Sequence, residues 1–108
     1  SILPYRVDRV DVSGPERVQA GDRISLRTAV VPSGKAIAGD HVLHVTVLDP
    51  DGRQHDCYVR NVLATAGVAD VTIPTAMDEA PGVWTVEMRD VATGTTARKP
   101  VLVEENKR

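Results

Sequence analysis

The sequence predicts an all-β, immunoglobulin-like β-sandwich of about seven antiparallel strands with Greek-key connections. Three observations predict it. Short apolar runs recur along the 108 residues, each closed by Gly, Pro, Ser or Asp, at the spacing of an antiparallel sandwich. Several of these runs alternate apolar and polar residues with period two, and no helical period competes. Finally, there is no Phe, and only Tyr5, Tyr58 and Trp84 are aromatic, so Val, Ile, Leu and Ala must build the core. That bias toward β-branched residues favours strands. A chain of this length fits one domain, residues 1–108, and leaves no room for a second.

The first run, Tyr5 to Val12, places Tyr5 and Val7 in one phase and Val10 and Val12 in the other, which predicts a bulge or change of sheet near Asp8-Arg9. Ser13-Gly14-Pro15 ends it. Ala20-Gly21-Asp22 turns into a second strand in which Ile24, Leu26, Thr28 and Val30 share a face, closed by Pro32-Ser33-Gly34-Lys35. A connecting segment containing Ala36, Ile37 and Ala38 leads to the strongest strand, His41 to Leu48, with Leu43, Val45 and Val47 on one face. Asp49-Pro50-Asp51-Gly52 is a tight turn, because Pro presets φ and Gly accepts positive φ.

A fourth strand is predicted over Gln54 to Leu63, with an ambiguous phase because Cys57 and Val59 oppose Tyr58 and Val62. Ala66-Gly67 turns the chain into Val68 to Ile73, where Ala69, Val71 and Ile73 point inward. Pro74 to Ala80 reads as a loop with one turn of 3₁₀ helix around Met77-Asp78. Pro81-Gly82 then opens the sixth strand, where Trp84, Val86 and Met88 seek the core while Thr85, Glu87 and Arg89 seek water. Gly94 starts the last strand, Thr95 to Val103, whose Pro100 cannot donate a ladder bond and so marks an edge or bulge. Glu104 to Arg108 reads as a polar tail.

Thirteen basic against 15 acidic residues give a net charge of -2, with the basic residues scattered. Nucleic-acid binding needs a basic face and is not expected. No stretch approaches the apolar length of a membrane span, so no membrane insertion is expected. Cys57 stands alone, which rules out an internal disulfide and a multi-cysteine zinc site. The opening Ser1-Ile2-Leu3-Pro4, just before the first strand, favours a module excised from a larger protein, and the reading leans toward a place outside the cytoplasm.

Each candidate constellation has a plain structural alternative. His41 and His44 lie three apart on a strand, so they leave opposite faces and cannot share a metal. His55-Asp56-Cys57 has the residue types of an activated thiol, but alternation on a strand would turn Asp56 away, leaving Cys57 to pack as a half-buried small hydrophobe. Asp49-Pro50-Asp51-Gly52 opens like a calcium loop, yet Arg60 stands where the closing glutamate belongs. No catalytic residue, cofactor or metal is therefore assigned. Trp84 is assigned to the core, which leaves Tyr58 as the one candidate surface platform. Tyr58, Arg60 and Asn61 are the candidate contacts for a ligand or neighbouring domain.

Val45 to Gly52, Gly67 to Pro74 and Pro81-Gly82-Val83-Trp84 together resemble macroglobulin-type and related bacterial immunoglobulin-like domains. A narrower resemblance runs through Leu3-Pro4-Tyr5, Ala20-Gly21-Asp22, Asp49 to Gly52, Tyr58 to Val62, Trp84-Thr85-Val86 and Arg89 to Gly94. On these residues the chain is similar to the C-terminal sandwich domains of large bacterial β-galactosidase-like proteins. That resemblance implies a catalytic barrel elsewhere in a parent protein and an accessory, non-catalytic role here. Neighbouring domains of the parent are then the partners. A carbohydrate-binding module and a macroglobulin-type protein interaction domain are the alternatives.

Overall fold

A computed structural model describes residues 7–32, 39–76 and 79–105. Among the described residues there are eight strands: β1 (Val7–Ser13), β2 (Arg17–Gln19), β3 (Arg23–Pro32), β4 (His41–Leu48), β5 (Arg60–Ala64), β6 (Val68–Pro74), β7 (Gly82–Asp90) and β8 (Thr96–Glu104). They form a three-stranded sheet, β1-β3-β6, and a five-stranded sheet, β2-β8-β7-β4-β5. Successive connections cross between the sheets at β1–β2, β2–β3, β3–β4, β5–β6 and β6–β7, as a Greek-key sandwich requires. Among the described residues no helix is long and apolar enough to cross a membrane.

The alternation read from the sequence sets the inward faces. Ile24, Leu26, Thr28 and Val30 of β3 meet Ala69, Val71 and Ile73 of β6 on one sheet. Leu43, Val45 and Val47 of β4, with Trp84, Val86 and Met88 of β7 and Val101 and Val103 of β8, form the facing surface. Every one of these side chains is buried. The only buried hydroxyl among them, that of Thr28, donates to the Met88 thioether at 2.8 Å, so no donor is stranded in the aliphatic core.

Expected breaks fall where backbone chemistry requires them. The register of β1 against β3 shifts between Val7 and Arg9, the bulge that the phase change implied. The chain passes from β5 to β6 through Ala66 and Gly67, at φ 52° and 82°. Two consecutive positive φ values make the primed turn that suits strand twist. The Ala66 amide is held there by Asp40 Oδ1 at 2.8 Å. Among the described residues, Pro100 lies on a stretch of β8 that pairs only with β7, since β2 joins β8 at Leu102.

Three expectations are corrected. The fourth strand does not begin at Gln54: residues 56–58 form a 3₁₀ turn, and β5 starts at Arg60. The turn closes because Tyr58 N bonds to His55 O at 3.0 Å while the His55 ring lies edge-on against Trp84. A strand absent from the reading, β2, follows Gly14-Pro15 and pairs in parallel with β8, carrying Val18 onto the core. Three residues are too few to show a period, which is why the sequence concealed it. Glu104 belongs to β8 rather than to a tail, and Arg17 Nη1 lies 3.5 Å from its carboxylate. The connecting segment at 36–38 and the turn proposed at 77–78 lie outside the described residues.

Candidate functional site

Among the described residues, a group of polar and aromatic side chains gathers where β4 ends and β7 begins. Asp49 organises it. Its Oδ1 accepts from the amides of Asp51 and Arg53, both at 2.9 Å, and its Oδ2 accepts from His55 Nε2 at 3.0 Å. The His55 bond foremost, with the backbone amides, holds the Asp49 carboxyl below its ordinary range. With both oxygens occupied, the Asp49-Pro50-Asp51-Gly52 motif works as a self-capped turn. Among the described residues no group of three or more His, Cys, Asp or Glu side chains is placed to hold a metal ion.

His55 links this turn to the core. Its ring meets Trp84 edge-on at 4.8 Å between centroids and lies nearly parallel to Tyr58 at 6.1 Å. Trp84 Nε1 donates to Ala80 O at 2.8 Å, and Tyr58 OH donates to Glu79 Oε1 at 2.6 Å. Burial first, then the Glu79 bond and its charge, push the Tyr58 phenol well above its usual range. These bonds pin the 79–80 segment, between β6 and β7, onto the core.

The candidate contacts separate in space. Tyr58 is half-buried against the core and its hydroxyl is engaged by Glu79. Arg60 is exposed at the start of β5, beside Val45 of β4. Asn61 is exposed on the outer face, where its Oδ1 accepts from His44 Nδ1 at 2.9 Å. Arg60 and Asn61 therefore mark the edge and outer face of the five-stranded sheet, while Tyr58 belongs to its inner side. Cys57 is exposed on the 3₁₀ turn rather than half-buried, because the turn rotates it outward while Tyr58 takes the inward place. The Asp56 side chain lies outside what the structure describes.

A second polar group was not singled out in the sequence. His41 Nδ1 donates to Asp90 Oδ1 at 2.9 Å, with both side chains buried. Thr93 donates to Asp90 Oδ2 at 2.6 Å. Burial raises the Asp90 carboxyl, but the bonds from Thr93 and His41 outweigh it and leave the group below its usual value. The signal was present: His41 is in phase with Leu43, and Asp90 is in phase with Trp84, Val86 and Met88. His41 and His44 do leave opposite faces of β4, as their spacing requires. On the outer face of the smaller sheet an open groove is lined by Ser13, Ser25, Arg27, Asp70 and Thr72.

No protein-family model and no curated protein matches the chain. Among solved structures, the CARDB domain of the PF1109 protein from Pyrococcus furiosus, determined in complex with di-metal ions, matches with a TM-score of 0.65. The fold is similar to that of this CARDB domain. The match covers 94% of this chain and 96% of that one, at 13% sequence identity. The likeness therefore extends over the whole sandwich and concerns the fold: two packed β-sheets of the immunoglobulin-like kind.

Proposed function

We propose that the chain is a non-catalytic β-sandwich module that packs against and spaces its neighbours in a larger protein. The supporting observation is how the ionisable side chains near the core are used. Asp49 caps a turn and holds His55, Glu79 holds Tyr58, and Asp90 holds His41 and Thr93. Each of these three carboxylates secures a connection between segments of the fold. A catalytic acid, base or nucleophile needs instead to face a recess shared with a substrate.

The motif resemblance to C-terminal domains of β-galactosidase-like proteins supports a bacterial, carbohydrate-active parent. Arg60 and Asn61 are the contact residues on this reading, since both are exposed at one edge of the larger sheet.

The test assays the purified chain against chromogenic glycosides, esters and phosphates, and titrates it with a panel of oligosaccharides by calorimetry. No turnover and no saturable binding at millimolar sugar is expected. Turnover that co-purifies with the chain overturns the reading. Saturable sugar binding overturns it in favour of a carbohydrate-binding module.

A further inference from the structure

Among the described residues, four strands border the two sheets, and three of them carry features that discourage pairing with another chain. β1 is bulged between Val7 and Arg9 and exposes Asp8, Arg9 and Asp11. β2 has three residues, and β6 carries Asp70 and ends at Pro74. β5 differs. Among the described residues it pairs only with β4, and after Arg60 it has no charge and no proline. Its Leu63 is 61% exposed.

The outer face beside this edge is apolar as well. Leu63 stands opposite Val42 in the β4–β5 register, and Val91 N donates to Val42 O at 3.0 Å, so Leu63, Val42 and Val91 form a row. Val42 and Val91 are 42% and 51% exposed. A row of large apolar side chains running out to an open edge marks a surface that is completed by another strand.

The charges at the two ends of β5 identify that strand. Arg60 begins it, and the Asp40 carboxylate sits at its far end, 2.8 Å from the Ala66 amide. We propose that β5 pairs antiparallel with β5 of a second copy of this chain about a two-fold axis near Leu63. Such an axis sets Leu63 against Leu63 and Val62 against Ala64, and it brings each Arg60 alongside the Ala66 turn and Asp40 of the other copy. Both ends of the joint then gain an opposite-charge contact, and the two apolar rows merge across a continuous ten-stranded sheet. The axis is isologous, so the pairing closes at a dimer and leaves no further β5 edge.

This proposal deepens the reading of the chain as a packing module, and its failure is distinguishable from failure of that reading. Sedimentation velocity on the full chain from about 10 µM to about 1 mM spans the affinities that a small edge contact supports. A reversible dimer is expected, weakened by salt. Leu63→Lys is expected to raise its dissociation constant at least about tenfold and Arg60→Glu several-fold. Both positions are exposed, and an unchanged circular dichroism spectrum shows that each variant folds. Hydrogen exchange gives an independent reading: the β5 amides slow as concentration rises.

A monomer throughout the range, with β5 amides exchanging equally at every concentration, overturns the proposal and leaves the edge to a segment of a neighbouring domain. A dimer indifferent to Leu63→Lys also overturns it, because another surface is then responsible. Neither result bears on whether the chain turns over a substrate.

Discussion

Replacing Trp84 with alanine tests the core most directly. Trp84 is 3% exposed, lies on β7 between β4 and β8, and faces Val101 in the β7–β8 register. The substitution removes the largest apolar surface in the core and leaves a cavity beneath β7, at a cost of about 3 to 5 kcal/mol. Loss of the edge contact with His55 contributes about 0.5 to 1.5 kcal/mol of that range. Loss of the Nε1 bond contributes little, because Ala80 is exposed and its carbonyl returns to water. Domains of this kind are stable by about 5 to 15 kcal/mol, so the variant sits near the threshold of folding. Urea unfolding followed by far-ultraviolet circular dichroism is the suitable assay, since the substitution removes the only tryptophan. Trp84→Phe serves as a control that retains most of the burial and is expected to cost about 1 to 2 kcal/mol. A loss below about 1 kcal/mol for Trp84→Ala refutes the argument, because the ring would then contribute as a surface residue does.

Asp90→Ala removes one partner of a buried pair and is expected to cost about 3 kcal/mol near neutral pH. Because the folded-state carboxyl is depressed, its stabilisation is complete above the ordinary value of about 3.9 and fades as pH falls through the folded value. The gap in urea midpoint between the parent chain and Asp90→Ala should therefore narrow below about pH 4, and a gap that stays constant there contradicts the pairing. Gly82→Ala should destabilise by about 1 to 3 kcal/mol, because φ is 136° and an added Cβ would lie 2.7 Å from the Pro50 ring; an unchanged melting temperature would show that the Pro50 turn yields freely.

Two-residue alternation was the reliable guide to this fold. It located His41–Leu48 to the residue and put Trp84, Val86 and Met88 on the buried face, because a strand packed on one side must separate its residues by phase. Phase failed where tertiary contacts outweighed it. Gln54 to Tyr58 carries strand-like residues, yet the attraction of His55 to both Asp49 and Trp84 bends the chain before a ladder can form. The parallel pairing of β2 with β8 joins segments from opposite ends of the chain, and nothing local in Arg17–Gln19 announces its partner. The polar pairs were half legible. His41 and Asp90 each occupy an inward phase, but their meeting depends on the register of β4 against β7, which a single sequence does not state.

That same β2–β8 pairing bears on how the sandwich would resist a pulling force. β2 lies near the start of the chain and β8 near its end, and the two run side by side in the same direction. β1 precedes β2 and pairs with β3 in the other sheet, so a pull on Val7 loads that ladder first; once β1 yields, β2 is drawn back toward Glu16 and β8 forward past Glu104, along the strand axis in opposite senses. The ladder from Arg17 to Gln19 and its flanking bonds, Leu102 N to Glu16 O and Ala20 N to Glu104 O, both 2.8 Å, then lie across the line of shear. Bonds loaded in this way yield together rather than unzipping one after another. A short parallel strand thus gives the sandwich a second point of mechanical resistance after β1 has yielded.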